Sequence, residues 1–366
     1  MEMTSNNQVP VSVFVHLGSS FPEHLHLNLL RHLAIFPGRR VTLIVDQELP
    51  FSLPRNIHIY RYQVSKSDEV IIGMMERVTD FQFRKGFWKY TFLRLFALGA
   101  FHETHPHEAI LHIESDVILM PNFPWQNFIS LNSLAWIGVN ESCDVASLVY
   151  SPSSHETSFL LSEIRKYAQD DPTTTDMYSL RTFATNHPSR HSYLPSLTKI
   201  TTRNQEKFDT EAAQQLRNFQ GYFDPLALGM WYFGQDPKNK YGLRRRYFID
   251  STYDLDPSRS KPFFENGRLF DDLGLNIYSL HIHAKFLPLF GTKWDQALER
   301  ELVAVRKKSD ELSFSISAFI GAISDRKAIH NFWLLLASVP GINYLRKYHL
   351  IEEVKNILKR LLRIKM

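Results

Sequence analysis

Residues 11–47 read VSVFVHLGSSFPEHLHLNLLRHLAIFPGRRVTLIVDQ. The run 11–17 is apolar enough for a strand buried on both faces, and Gly18-Ser19-Ser20-Phe21-Pro22 breaks it. Pro22 suits the first turn of a helix, and Leu25, Leu29, Leu33 and Phe36 then recur at helical spacing. Pro37-Gly38 ends that pattern, and residues 39–47 form the next strand. Strand, helix, strand at this length is a βαβ unit. It requires a parallel sheet and places ligands at the carboxyl ends of the strands.

The rest of the chain extends this α/β reading. Residues 56–64 predict a third strand, 80–103 an aromatic-rich helix, and 134–140 and 145–152 two further strands. Residues 153–169 form an amphipathic helix with Ser153 or Ser154 as its cap, and 173–187 a shorter one. Between 196 and 270 the pattern weakens into turns and short elements. Strand-like alternation returns at 276–287, and beyond about residue 295 the chain is mostly helical. Its last stretch, 343–366, gathers Leu350, Ile351, Val354, Ile357, Leu358, Leu361 and Leu362 on one face, with Lys355, Lys359, Arg360, Arg363 and Lys365 elsewhere. Such a helix either packs its apolar face on the domain or lies on an anionic membrane surface.

Composition narrows the function classes. With 44% hydrophobic and 22% charged residues in 366, the chain is globular rather than disordered. A net charge of +4 is too mild to argue for nucleic acid. A single cysteine, Cys143, excludes an internal disulfide and fits a reducing compartment, where it reads as a small buried hydrophobe. No basic region followed by an apolar one opens the chain, and no window is apolar for the ~18 residues a membrane span needs. The expected location is cytoplasmic, or peripheral on the inner membrane if the basic C-terminal helix lies on its surface.

Two short motifs carry chemistry. In EAILHIESDVILMP (108–121), Glu114 and Asp116 interrupt two apolar runs, with their side chains on the same side of the chain. Buried carboxylates need cationic partners, and Mg²⁺ or Mn²⁺ bridging to a substrate diphosphate would supply one. In SLHIHAK (279–285), His281, His283 and Lys285 alternate along a late strand. Imidazole suits Mn²⁺, and an ammonium holds phosphate as a point charge. Lys89 and Arg94, in GFWKYTFLRLFAL (86–98), are five residues apart and do not share a helix face. Asp224 and Asp236, in FDPLALGMWYFGQDP (223–237), flank an apolar, glycine-punctuated segment that could line an acceptor pocket. Each could equally be a turn-forming Asp before Pro.

Together the N-terminal βαβ, the FWKYTFLRLFAL helix, LHIESDV and LHIHAK resemble the nucleotide-sugar-dependent glycosyltransferases of the GT-A fold, over roughly residues 10–290. The 223–239 segment is similar to one in poorly characterised bacterial members of surface-polysaccharide pathways. The resemblance implies a Rossmann-like, mostly parallel central sheet flanked by helices, with a C-terminal helical extension at 296–366. Within 1–295 it implies a donor-binding half at about 10–150 and an acceptor-side half at 151–295. It implies a nucleoside-diphosphate sugar as donor, Mn²⁺ or Mg²⁺ as cofactor, and a glycan or lipid-linked acceptor. Asp116, His281 and His283 would then ligate the metal. Glu114 would contact ribose or sugar, and Lys285 would lie near the diphosphate. His16, Gly18, Lys89 and Arg94 become nucleotide-side candidates. If the outcome is inverting, Asp224, with Asp236 in reserve, would deprotonate the acceptor hydroxyl. Glu in place of the family's usual first Asp leaves the role of Glu114 open. A sugar-phosphate nucleotidyltransferase would carry a Gly-rich basic loop after the first strand, where this chain has HLGSSFPEH. A non-catalytic scaffold would not need Glu114, Asp116, His283 and Lys285 together. A phosphoester hydrolase would need a second acidic cluster.

Overall fold

The computed structural model of the chain describes residues 9–49, 51–78, 86–139, 142–196, 214–234, 236 and 262–304. The amphipathic helix expected at 343–366 and most of the helical extension lie outside the described residues. In chain order the first half holds β1 (Val11–His16), α1 (Glu23–Ile35), β2 (Val41–Val45), β3 (Ile57–Arg61), α2 (Lys66–Val78), α3 (Phe87–Thr104), β4 (Ile110–Ile113) and β5 (Val117–Leu119). There follow α4 (Trp125–Ile129), β6 (Leu134–Gly138), β7 (Asp144–Ser151), α5 (Ser154–Asp170), α6 (Asp176–Asn186) and β8 (His191–Leu194). The last described elements are β9 (Gly221–Phe223), α7 (Ala227–Phe233), β10 (Phe263–Glu265), β11 (Arg268–Phe270), β12 (Asn276–His281) and a 3₁₀ turn at Leu287–Leu289.

The architecture is the expected α/β class: a seven-stranded, mostly parallel sheet in the order β3-β2-β1-β4-β7-β6-β8, flanked by helices. β1 pairs in parallel with both β2 and β4, as the opening βαβ unit requires. β7 alone runs against its neighbours β4 and β6. Strand alternation divides the core in two. Val11 and Val13 join residues of α2, α3, α5 and α6, whereas Phe14 faces Leu25 and Leu29 of α1. Each such fully buried Leu or Phe contributes about 1.5–3 kcal/mol.

Three elements differ from the sequence reading. Helix α2 was not foreseen: β-branched residues and Gly73 weaken its helical signal, and burial of Ile71, Ile72 and Met75 against the α3–α5 layer supplies what propensity does not. β8 was not foreseen either; it forms the sheet edge beside β6, where the His191 ring packs at a tilt on Trp136. The strand expected over 276–287 stops at His281, and the chain then turns.

A second, smaller sheet positions the site. β5, which leaves the acidic motif, pairs antiparallel with β12, setting Val117 opposite His281 and Ile118 opposite Leu280. Helix α1 fastens the same short strand from outside the ladder. Asn28 Nδ2 donates to the carbonyls of Ser115 (3.1 Å) and Val117 (2.8 Å), and Arg31 Nη2 donates to that of Leu119 (2.9 Å).

Candidate metal centre

β4 ends at Ile113, and the backbone N–H of Glu114 makes one more bond to β7 through the Ser147 carbonyl (3.0 Å). The chain then turns through Ser115 and Asp116 into β5, with the Val117 N–H closing the turn on the Glu114 carbonyl (3.0 Å). Both carboxylates therefore lie at the carboxyl edge of the parallel strands. The second motif arrives by direct backbone pairing: the Ile282 N–H donates to the Asp116 carbonyl at 2.7 Å.

His281 Nε2 lies 3.4 Å from Asp116 Oδ1 and 3.6 Å from Glu114 Oε2. Among the described residues, Glu114, Asp116 and His281 are the group whose ligand atoms come within 4.8 Å of one another. Two carboxylate oxygens and one imidazole nitrogen suit Mn²⁺ or Mg²⁺. The far side of His281 supports that role, since its Nδ1 is 3.3 Å from the Pro225 carbonyl. Such a bond orients a ligating ring and leaves Nε2 toward the metal. These residues fit a divalent cation, with Glu114 added to the expected set.

His283, expected as a ligand, is placed differently. Its Nδ1 accepts the Asp236 N–H at 3.0 Å, so the neutral ring carries its proton on Nε2 and offers no lone pair there. Burial, then Lys285 and His281, lower its pKa to about 4, so that tautomer persists at neutral pH. His283 is a hydrogen-bond donor at the rim of the site. It reaches the site through the turn after β12, and so does Lys285, whose backbone sits at φ +50. The strand alternation read from the sequence does not extend to either residue.

Lys285 Nζ donates to Asp116 Oδ2 at 2.8 Å and lies 3.4 Å from Asp236 Oδ2. Burial would raise the pKa of Asp116, yet Lys285 and His281 hold it well below the usual carboxylate range. Burial likewise opposes the charge on His281, but Asp116 and Glu114 push its pKa up to about 9.

Arg94 forms the other wall. It is bonded to Glu114 through Nη1, and its Nη2 donates to Asp176 Oδ2 at 3.0 Å. Burial opposes its charge, but the two carboxylates raise its pKa. Lys89, five residues earlier, turns away and pairs with Glu76 of α2 at 3.2 Å. Of the two helix cations, the structure brings only Arg94 to the acidic motif.

Asp224 is fully buried, and both its oxygens are taken by backbone donors: Leu226 and Leu228 N–H (3.0 Å each), Gly229 N–H (2.8 Å) and His281 N–H (3.2 Å). It clamps the start of α7 to the end of β12. No oxygen is left to face an acceptor hydroxyl, which corrects its expected place as a base. Asp236 does lie in the cluster, through its ion pair to Lys285.

His16 and Gly18 line a shallow hollow at the carboxyl ends of β1 and β2, together with Phe21, Asp46, Gln47 and Leu49. Gly18, at φ +104, donates its N–H to both oxygens of Asp46 (3.0 and 3.1 Å). Burial lowers the His16 pKa against the pull of Asp46.

Sequence reasoning missed His24, Ser115 and Asp176. His24 Nε2 lies 3.2 Å from Ser115 Oγ, and burial outweighs the nearby Asp116 in bringing its pKa to about 4. A signal existed: His24, Asn28 and His32 form a polar stripe at i, i+4, i+8 on α1, and all three are buried. Asp176 carried no such signal, because an Asp after the capping Thr175 reads as ordinary helix-start chemistry.

No protein-family model matches the sequence, and no curated relative matches it. Solved structures similar to the chain are glycosyltransferases at low identity. The PaToxG glycosyltransferase is 10% identical, at TM-score 0.34, over 58% of this chain and 78% of that one. Mouse xyloside xylosyltransferase 1 is 11% identical, at TM-score 0.34, over 57% and 93%. The glycosyltransferase GlyE of Streptococcus pneumoniae TIGR4 is 13% identical, at TM-score 0.33, over 58% and 51%.

Proposed function

We propose that this chain is a metal-dependent glycosyltransferase, moving a sugar from a nucleoside-diphosphate sugar to a glycan or lipid-linked acceptor. The observation that carries the reading is the convergence of Glu114, Asp116 and His281 within 4.8 Å at the carboxyl edge of the parallel sheet, with Lys285 beside them. Departure of a nucleoside diphosphate builds negative charge on the leaving phosphate. A bound Mn²⁺ or Mg²⁺ would supply Lewis-acid stabilisation of that charge. Lys285, already bonded to Asp116, is the chain's own donor beside that charge. Arg94 pairs with Glu114, and the hollow at His16 and Gly18, at the carboxyl ends of β1 and β2, is the proposed place for the nucleoside. Should the outcome be inverting, Asp236, whose carboxylate joins the cluster through Lys285, replaces Asp224 as the proposed base.

The same proposal keeps a donor-binding half, an acceptor-side half and a helical extension from residue 296. It also keeps a bacterial surface-polysaccharide role and a cytoplasmic location, with contact to the membrane through the basic C-terminus. No described helix is long and apolar enough to cross a membrane.

The test is donor hydrolysis across a panel of nucleotide sugars. Purified protein with Mn²⁺ should release a nucleoside diphosphate, and Asp116→Asn or a chelator should abolish the release. Pyrophosphate formed from a nucleoside triphosphate and a sugar phosphate would replace this reading with nucleotidyl transfer. Silence across the panel, with intact folded protein, would leave only a binding or scaffold role.

A further inference from the structure

We propose that Lys285 is a built-in counter-cation of the acidic site, which the metal must displace, so that metal and donor diphosphate bind as a coupled pair. The inference rests on the metal-site reading above and adds a regulation to it. Asp116 Oδ2 already holds the Lys285 ammonium at 2.8 Å, and Asp236 Oδ2 lies 3.4 Å from the same ammonium. A divalent cation drawing on Asp116 meets that ammonium at close range, and like charges at such spacing repel strongly in a partly buried site. Metal alone is therefore opposed. A diphosphate changes the balance, because it offers Lys285 a new anionic partner while also ligating the metal.

The local structure lets Lys285 make that exchange. Its side chain is 29% exposed, whereas those of Asp116 and Asp236 are 10% and 2% exposed. The lysine is thus the most exposed of the three side chains and can follow a ligand outward while the acids stay fixed. Its backbone is in the left-handed region at φ +50, with its N–H on the Ile282 carbonyl at 2.7 Å. That turn aims the long side chain back across the site. Coupling of this kind is reciprocal: whatever factor the diphosphate adds to metal affinity, the metal adds to diphosphate affinity.

The experiment titrates the full chain with Mn²⁺ and follows free Mn²⁺ by electron paramagnetic resonance, alone and with UDP, GDP, CDP or ADP. Wild type should bind Mn²⁺ weakly alone and at least about tenfold more tightly with the cognate nucleoside diphosphate. Lys285→Met should bind Mn²⁺ alone at least about tenfold more tightly than wild type and lose most of the coupling. Lys285→Gln, polar and uncharged, guards against a fold defect peculiar to Met and should behave likewise. If wild type and both variants bind Mn²⁺ equally well, the exchange is overturned while the metal site stands. If none binds Mn²⁺ under any condition, the metal-site reading falls and takes this inference with it.

Discussion

The N–H of Ile282 donates to the carbonyl of Asp116 at 2.7 Å, joining by one backbone bond two motifs that lie far apart in sequence. The neighbouring register, His281 opposite Val117, brings the imidazole to the carboxylates, and the Pro225 carbonyl holds the ring from its far side. The spacing of the acid–imidazole set is thus a property of the β5–β12 ladder.

Arg94 is the residue whose loss should hurt the fold most among the charged groups. Removing it leaves the buried Asp176 without its cation and Glu114 with His281 alone, 3.6 Å away. Arg94→Met should cost about 3–5 kcal/mol in urea unfolding, the range for breaking a buried ion pair from one side. A cost below about 1 kcal/mol would mean that solvent screens the pair far more than its burial implies.

Gly229 lies where a side chain has no room. A Cβ there would come 1.7 Å from the His281 carbonyl oxygen, which is backbone and cannot swing aside. Gly229→Ala should therefore destabilise by about 3 kcal/mol or more and weaken Mn²⁺ binding by displacing His281. An unchanged melting temperature would show that α7 can slide off β12 at little expense.

Asn28 is a side-chain strut under the acidic turn. Asn28→Ala removes its bonds to the carbonyls of Ser115 and Val117, and should cost about 1–3 kcal/mol. Hydrogen exchange of the residue 115–119 amides should quicken in the variant, more than in the rest of the sheet.

Asp144 gives stability a pH dependence that is separable from the metal centre. Burial pushes its pKa up to about 7, against the Trp136 N–H, Arg181 and the Tyr193 hydroxyl. Between the ordinary carboxylate pKa, near 4, and about 7, the folded chain holds a proton that the unfolded chain has lost. This group's contribution to stability is therefore full at the acid end and declines as pH rises, by up to about 1.4 kcal/mol per pH unit, levelling off above 7. Asp144→Asn keeps an acceptor for Trp136 and should remove that decline. Identical pH slopes for variant and wild type in urea titrations would refute the assignment.

The legible part of this molecule was periodic or compositional. The βαβ opening, the acidic motif between two apolar runs, and the β6 and β7 strands were readable because burial on a sheet repeats every two residues and on a helix every three or four. What escaped was decided at a distance. Helix α2 exists through its contacts with the α3–α5 layer, and Asp176 matters through Arg94, 82 residues away in the chain. His283 and Lys285 did enter the site, but through a turn with an L residue at positive φ, which no alternation pattern encodes. Asp224 was misjudged because Asp before Pro looks the same whether it serves chemistry or gathers four amides.

The bond from Lys285 to Asp116 spans 169 residues of sequence, which gives the site a history as well as a geometry. A ribosome adding roughly 5–20 residues per second needs about 10–30 s to cover that stretch. During that interval Glu114 and Asp116 exist without the imidazole and ammonium that later neutralise them, and Arg94 is the one member of the finished cluster's cations already made. Until residues 281–285 are made, the acid pair has one guanidinium of its final cluster to draw on, or water. The last part of the site to be synthesised is also the part that makes it electrically tolerable.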